Sequence, residues 1–410
     1  MSGPTIMMAG LAGLALLAGA NAAAAQGTQK PITFGVIAEQ SGPLSALGSE
    51  TARAAVVIAD QLNRAGGIIG RPVRLIVRDS KSTVNEAVRQ ARDLIHTENV
   101  DFLIHSISSA ECIGVGGVAT QAGKIVFSSC GHDDFTGKDG SRYTFRVPNI
   151  TARTQALAAG DYILTTLKPT GRRFYTIAQD FAFPRGSVAS FKAYMNAKMP
   201  DVQWIGENWP KMAEPSYASF ITAIIEAKPD VIFYSFGVAL PFFQQSAAYE
   251  LSKRFPLISS YWGGSDEIQR MTKEAIPTGA LMGGYPWYAI EGKENEQFIK
   301  DYRAASGGAP PFTPAYFQHM NMQALKLGIE KAGSIEADKV IAALEGMKYD
   351  SIIGSITIRP FDHQGVTPFW MGKAVWDDKL NLGVIRDVVK YDTGPYLPSE
   401  DEIKKARGAK

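Results

Sequence analysis

The chain has 410 residues, 45% hydrophobic and 20% charged, an ordinary globular composition long enough for two packed cores. Its 42 basic and 40 acidic residues are interspersed and leave a net charge of +2. No basic run precedes the short tail Lys404-Lys405-Ala406-Arg407, so a nucleic-acid partner is not expected.

The N-terminus is a separate chemical region. No side chain from Met1 to Gln29 is acidic, basic or a histidine, and Lys30 is the first charge. An apolar run, Ile6 to Ala18, leads into Ala20-Asn21-Ala22-Ala23-Ala24-Ala25-Gln26, which offers several small-x-small cleavage sites. Residues 1–25 therefore read as a signal peptide, although Met1 to Thr5 lacks the usual Lys or Arg. The competing reading, a membrane anchor, needs about 20 strongly apolar residues, and this stretch is diluted by Gly and Ala. No Cys follows the Leu-Ala-Gly motif to carry a lipid. The mature protein is expected to be soluble and periplasmic. In such an oxidising compartment Cys112 and Cys130 can form a disulfide, or they can serve as small buried apolar residues.

After the leader, short β-rich runs alternate with helical periods. Ile32–Ala38 is a predicted strand; Ala52, Ala55, Val56, Ala59 and Leu62 then recur at helical spacing until Gly66-Gly67 stops the helix. Strand 73–77, helix 84–98, strand 102–105, helix 111–122 and strand 125–128 follow. A second series begins near Thr151, with helices over 156–167, 186–199, 217–227 and 240–251. Its strands are 174–178, 202–207, 231–236 and 257–261. Strands alternating with helices imply parallel sheets covered on both faces, and two series imply two such domains. Helices over 295–305, 316–332 and 337–345 and strands over 355–358, 369–376 and 382–391 are too few for a third domain. Such sheets bind ligands at the carboxyl ends of their strands. The loops to search are therefore 39–48, 80–83, 106–111, 129–136, 179–186, 235–240 and 262–266.

The block Asn63-Arg64-Ala65-Gly66-Gly67-Ile68-Ile69-Gly70-Arg71-Pro72-Val73, with Asp79 beyond it, resembles a signature of solute-binding proteins of branched-chain amino-acid ABC transporters. Ser41-Gly42-Pro43, Asp101-Phe102-Leu103-Ile104 with Ser108-Ser109, Asp180-Phe181-Ala182-Phe183 and Lys228-Pro229-Asp230-Val231-Ile232 are similar to the same family, in family order, over Pro31 to about Tyr391. The resemblance implies an α/β, type I periplasmic binding protein of the leucine/isoleucine/valine-binding kind: two Rossmann-like lobes with parallel sheets, joined by a three-crossing hinge. On that pattern residues 31–149 plus 283–360 form the N-terminal lobe, and residues 150–282 plus 361–395 the C-terminal lobe. It also implies a monomer without enzymatic activity or cofactor, which traps a small molecule between its lobes and docks on an inner-membrane permease.

The family's carboxylate-binding positions match Ser109, with Ser108 beside it, and His132, with the backbone around Cys130. Ser108 or Ser109 can equally act as a plain helix cap. The position of the family's ammonium-binding Glu matches Ser265, or Asp266 if the register slips by one. A neutral hydroxyl cannot balance a buried ammonium, so the expected ligand is a small carboxylate, either a branched-chain or other amino acid or an aromatic or aliphatic acid. Phe181, Phe183, Phe236, Tyr285-Pro286-Trp287-Tyr288, Tyr316 and Phe317 are candidate apolar walls, with core packing as the alternative. A Cys112–Cys130 bond would stiffen the carboxylate site, and it requires the two Cα atoms within about 7 Å.

Enzyme motifs are missing. His96, His105, His132, His319 and His363 show no metal-ligand spacing, and Cys-x-x-Cys, Gly-x-Ser-x-Gly and Walker A patterns do not occur. A hydrolase using Ser109 or Cys130 with His132, and a soluble sensor feeding a receptor, are the rival readings.

Overall fold

The computed structural model describes residues 29–259 and 264–408, so the signal-peptide reading falls outside the described residues. Strands β1 (Ile32–Ala38), β2 (Val73–Asp79), β3 (Phe102–His105), β4 (Val126–Ser128) and β5 (Thr144–Phe145) form one all-parallel sheet in the order β2-β1-β3-β4-β5. Strands β6 (Arg173–Ala178), β7 (Gln203–Asn208), β8 (Val231–Ser235), β9 (Leu257–Ser259) and β10 (Leu281–Gly284) form the parallel part of a second sheet. A small antiparallel sheet holds β11 (Lys348–Ser351), β12 (Gly354–Ile358) and β13 (Gly365–Val366). Finally β14 (Pro368–Asp377) and β15 (Leu382–Asp392) complete the second sheet, in the order β15-β14-β10-β9-β8-β6-β7.

The parallel-sheet expectation needs one correction, because β14 and β15 run antiparallel on the edge of the second sheet. A link of four residues can join only antiparallel neighbours. The Asp377 carboxylate holds that turn by accepting the Lys379 and Leu380 N–H groups, each at 2.9 Å.

The motif that carries the resemblance is a structural corner. Asn63, near the end of helix Ser45–Arg64, donates from Nδ2 to the Val73 carbonyl and accepts the Val73 N–H, at 2.9 and 2.7 Å. Gly67 has φ +81°, and a Cβ there would lie 2.0 Å from the Arg71 carbonyl oxygen, so only glycine fits this turn. Asp79 at the end of β2 accepts the N–H groups of Gln40, Ser41 and Lys81 and the Ser41 hydroxyl, pinning the loop after β1. The helix buries Ala52, Ala55, Ala59 and Leu62 as its spacing predicts, but Val56 stays 45% exposed beside them. The helix predicted over 240–251 breaks into Leu240–Ala247 and Leu251–Arg254 at Glu250, which has φ +50°.

Helix Thr313–Ala332 packs along helix Ser45–Arg64, which returns this late segment to the first sheet's side of the molecule. The chain thus crosses between the halves after β5, after β10 and between β13 and β14. Fully buried Arg146 ties the first and third crossings together. Its guanidinium donates to the carbonyls of Cys130 and His132, to Thr136 Oγ1 and to Gln364 Oε1. Its backbone pairs with Gln364, and the Gly365 N–H reaches the Arg146 carbonyl at 2.7 Å. Burial lowers the guanidinium pKa to about 10, with Asp133 and Asp362 opposing, so it stays charged at neutral pH.

Candidate functional site

The carboxyl ends of β1–β4 face those of β6–β8 across a cleft of about 250 Å³. Six of the seven loops singled out in the sequence contribute to it. Pro43, Leu44 and Leu47 come from the loop after β1, Ser82 from that after β2, Ile107 to Ala110 from that after β3 and Gly131 from that after β4. The other half supplies Phe181, Ala182 and Phe183 after β6, Met212 after β7, and Phe236 and Gly237 after β8. Hinge-side residues Ile150, Gln155, Thr313, Pro314 and Phe317 close the floor. The seventh loop contributes none of its described residues, Gly264 to Asp266.

The polar end of the cleft is the start of helix Ser109–Gln121. Ser108 caps it, its Oγ accepting the Glu111 N–H at 3.4 Å. Ser109 and Ala110 occupy the first helical positions, where N–H groups have no intrahelical partner. With the Ser109 hydroxyl beside them they have the chemistry to receive an anion. The rest of the wall is mostly apolar, with Ser82, Gln155 and Thr313 as its polar members, and among the described residues none that lines the cleft is acidic, basic or a histidine. Gln155 is the one amide in the lining. Its Nε2 donates to the Ile150 carbonyl at 2.6 Å, which leaves Oε1 as a buried acceptor with no hydrogen bond.

Of the residues expected to bind ligand, Ser108, Ser109, Phe183 and Phe236 line the cleft together. Cys130, His132, Ser265, Asp266 and Tyr285 stand behind it. Cys130 is bonded to Cys112, with Cα atoms 6.3 Å apart, and is therefore no free nucleophile. His132 accepts the Asp134 N–H on Nδ1 at 3.2 Å and so caps the short turn Asp133–Phe135. Ser265 is buried, with its Oγ making no hydrogen bond. Asp266 Oδ2 accepts the Thr313 N–H at 2.9 Å, and burial raises its pKa to about 7, with that hydrogen bond opposing. Tyr285 donates its N–H to Thr313 Oγ1 at 3.1 Å and its hydroxyl to the Pro368 carbonyl at 2.9 Å. Asp266 and Tyr285 therefore both hold Thr313, which itself lines the cleft.

The second half's loops satisfy one another. Gln179 Oε1 accepts the Gly237 and Val238 N–H groups, and its Nε2 donates to the carbonyls of Met212 and Val238. The Glu267 carboxylate accepts the Ala239 N–H, at 2.8 Å to the nearer oxygen. Leu44, Leu47, Ile107, Met212, Ile150 and Gln155 were not identifiable as site residues, because nothing in their type distinguishes them from core residues. For Leu44, Leu47 and Ile107 the available signal was their place in loops that follow strands.

A family model described as periplasmic binding protein matches residues 31–379. The chain belongs to the periplasmic binding protein family. The Leu/Ile/Val-binding protein BraC3 of Rhizobium johnstonii is 25% identical over 333 residues, covering 80% of this chain and 87% of that protein. Among solved structures, an amino acid ABC transporter substrate-binding protein from Pseudomonas fluorescens superimposes with a TM-score of 0.79 at 21% identity, covering 92% of this chain and 98% of the other. A solute-binding protein from Rhodopseudomonas palustris in complex with 3,4-dihydroxybenzoic acid has a TM-score of 0.77 at 22% identity and covers 89% and 98%. This periplasmic binding protein therefore shares its two-lobed architecture with these solved structures.

Proposed function

We propose that the protein is the substrate-binding component of an ABC importer and that its ligand is a carboxylate without an ammonium group, an aromatic acid foremost. The carrying observation is the composition of the cleft: an anion-receiving helix start at Ser109–Ala110 opposite a wall of Phe181, Phe183, Phe236 and Phe317, with no acidic side chain in the lining. Nor do Ser260, Tyr261, Trp262 and Gly263, outside the described residues, carry a charge. An ammonium would be stripped of water there without a counter-charge, at a cost of several kcal/mol. The ring of a benzoate-like acid would meet flat apolar walls instead. Gln155 Oε1 would accept a hydroxyl on such a ring.

On this reading residues 1–25 export the chain to the periplasm. The two lobes comprise residues 31–149 plus 283–360 and residues 150–282 plus 361–395. Ligand binds the first lobe through Ser109, and contacts from Phe183 and Phe236 then favour closure about the hinge. The monomer performs no chemistry, binds no nucleic acid and delivers its cargo to the permease. A sensor role would use the same cleft.

The test is thermal stability after unfolding and refolding to remove carried ligand, against benzoates, hydroxybenzoates, aliphatic acids and Leu, Ile and Val. A ligand at 100 times its dissociation constant adds about 2.7 kcal/mol. Stabilisation by benzoates but not by the amino acids is expected. Stabilisation by Leu, Ile or Val alone would overturn the ligand class while leaving the transport role.

A further inference from the structure

Behind the anion-receiving turn lies a second cluster of chemistry. Glu39 closes β1, His105 closes β3 and Glu111 sits in the first turn of helix Ser109–Gln121. All three are buried, at 0%, 0% and 1% exposure, and none lines the cleft. His105 Nε2 lies 3.7 Å from Glu39 Oε1 and 3.5 Å from Glu111 Oε2, and one donor atom from each residue falls within a 4.8 Å sphere of mutual distances. These separations exceed the roughly 2.7–3.2 Å of a hydrogen bond. They match the donor–donor edge of about 3.4 Å in a tetrahedral site with metal–ligand bonds of about 2.0–2.1 Å.

The hydrogen-bond inventory points the same way. His105 Nε2, Glu39 Oε2 and both oxygens of Glu111 make no hydrogen bond, although every one of them is buried. His105 Nδ1 meets Ser128 Oγ at 2.9 Å, which fixes the ring and can leave Nε2 free to ligate, the arrangement metal-binding imidazoles use. Glu39 Oε1 is held by the N–H groups of Ser108 and Ile107, at 2.8 and 3.3 Å. Two buried carboxylates facing one imidazole would both be neutralised by a divalent ion.

We propose that Glu39, His105 and Glu111 form a structural site for a divalent metal ion of the zinc class. One imidazole nitrogen and two carboxylates are too few oxygens for calcium and too rich in nitrogen for magnesium. The ion would tie the ends of β1 and β3 to the start of the helix that receives the ligand. It would also cancel two negative charges standing behind an anion-binding turn.

The experiment uses the full mature chain, unfolded in chelator and refolded with zinc, magnesium, calcium or no metal, then desalted. Expected are one zinc retained per chain, a melting temperature raised by several degrees with zinc alone, and visible absorption of tetrahedral type when cobalt replaces zinc. Glu111→Gln should fold, as judged by circular dichroism, yet retain no zinc and show no metal-dependent shift. Should that variant fail to fold, the wild-type metal content and cobalt spectrum still decide. A wild type that retains no zinc overturns the proposal and leaves a shared proton or a water between the three groups. Zinc retained equally by Glu111→Gln overturns it too, placing the metal elsewhere. Benzoate binding is measured separately, so failure of the ligand proposal does not touch this result.

Discussion

Phe183 reaches from the second lobe so close to Gly131 of the first that a methyl group on Gly131 would sit 2.5 Å from Phe183 Cδ2. The two residues meet across the cleft. Gly131→Ala should therefore weaken ligand binding by about tenfold or more, because the added methyl forces Phe183 from its place in the wall. Phe183→Ala should lower affinity by about 10–100-fold through loss of an aromatic wall that the ligand would cover. Calorimetric titration with the stabilising ligand, together with solution scattering for compaction, checks both variants.

The serines of the anion-receiving turn should separate. Ser108 caps the helix through Oγ, so Ser108→Ala should destabilise the fold by about 1 kcal/mol. Ser109 lines the cleft beyond the cap, so Ser109→Ala should cost affinity with little change in unfolding. Urea midpoints and titrations on the two variants read the two effects independently.

Asp266 makes stability depend on pH in a definite direction. Its folded pKa of about 7 lies above the ordinary carboxyl value of 3.8, so between these values the folded state holds the extra proton. Stability from this group is therefore full below pH 4 and is lost as pH rises towards 7, by at most about 2.7 kcal/mol between pH 5 and 7. Asp266→Asn keeps an acceptor for the Thr313 N–H and removes the titration. Urea unfolding at pH 5 and pH 7 should show the wild type losing more stability than the variant over that interval.

The Cys112–Cys130 bond closes a loop of 18 residues in sequence and clamps the start of the ligand-receiving helix to the segment after β4. Its reduction should lower stability by about 3 kcal/mol, the loop-entropy value for this length. Denaturation with and without dithiothreitol measures it, and a Cys112→Ala, Cys130→Ala double variant should reproduce the reduced value.

Much of the architecture was legible from local pattern. Ile32–Ala38 is a strand with the bounds its sequence suggests, since an unbroken β-rich run buried on both faces leaves no ambiguity of period. The Asn63–Gly70 corner was legible because its glycines and its asparagine are each required by a local backbone shape. The hairpin β14–β15 was found as two strands, but its antiparallel direction was not, because alternation reports which face is buried and not which neighbour pairs. Strand β10, Leu281-Met282-Gly283-Gly284, was missed, since a short run ending in two glycines carries no β signal of its own.

The same division governs the site. Sequence alone determined that the chain folds as two α/β lobes and places Ser108, Ser109, Phe183 and Phe236 near strand ends, because these follow from periodicity and loop position along one dimension. Only the tertiary structure decided that Asp266 accepts the Thr313 N–H, and that Glu39, His105 and Glu111, distant or irregular in sequence, converge in one buried space. Sequence spacing records neighbours within a helix or strand, whereas which strand end lies beside which is set by the order β2-β1-β3-β4-β5, and that order is fixed by packing across the whole sheet.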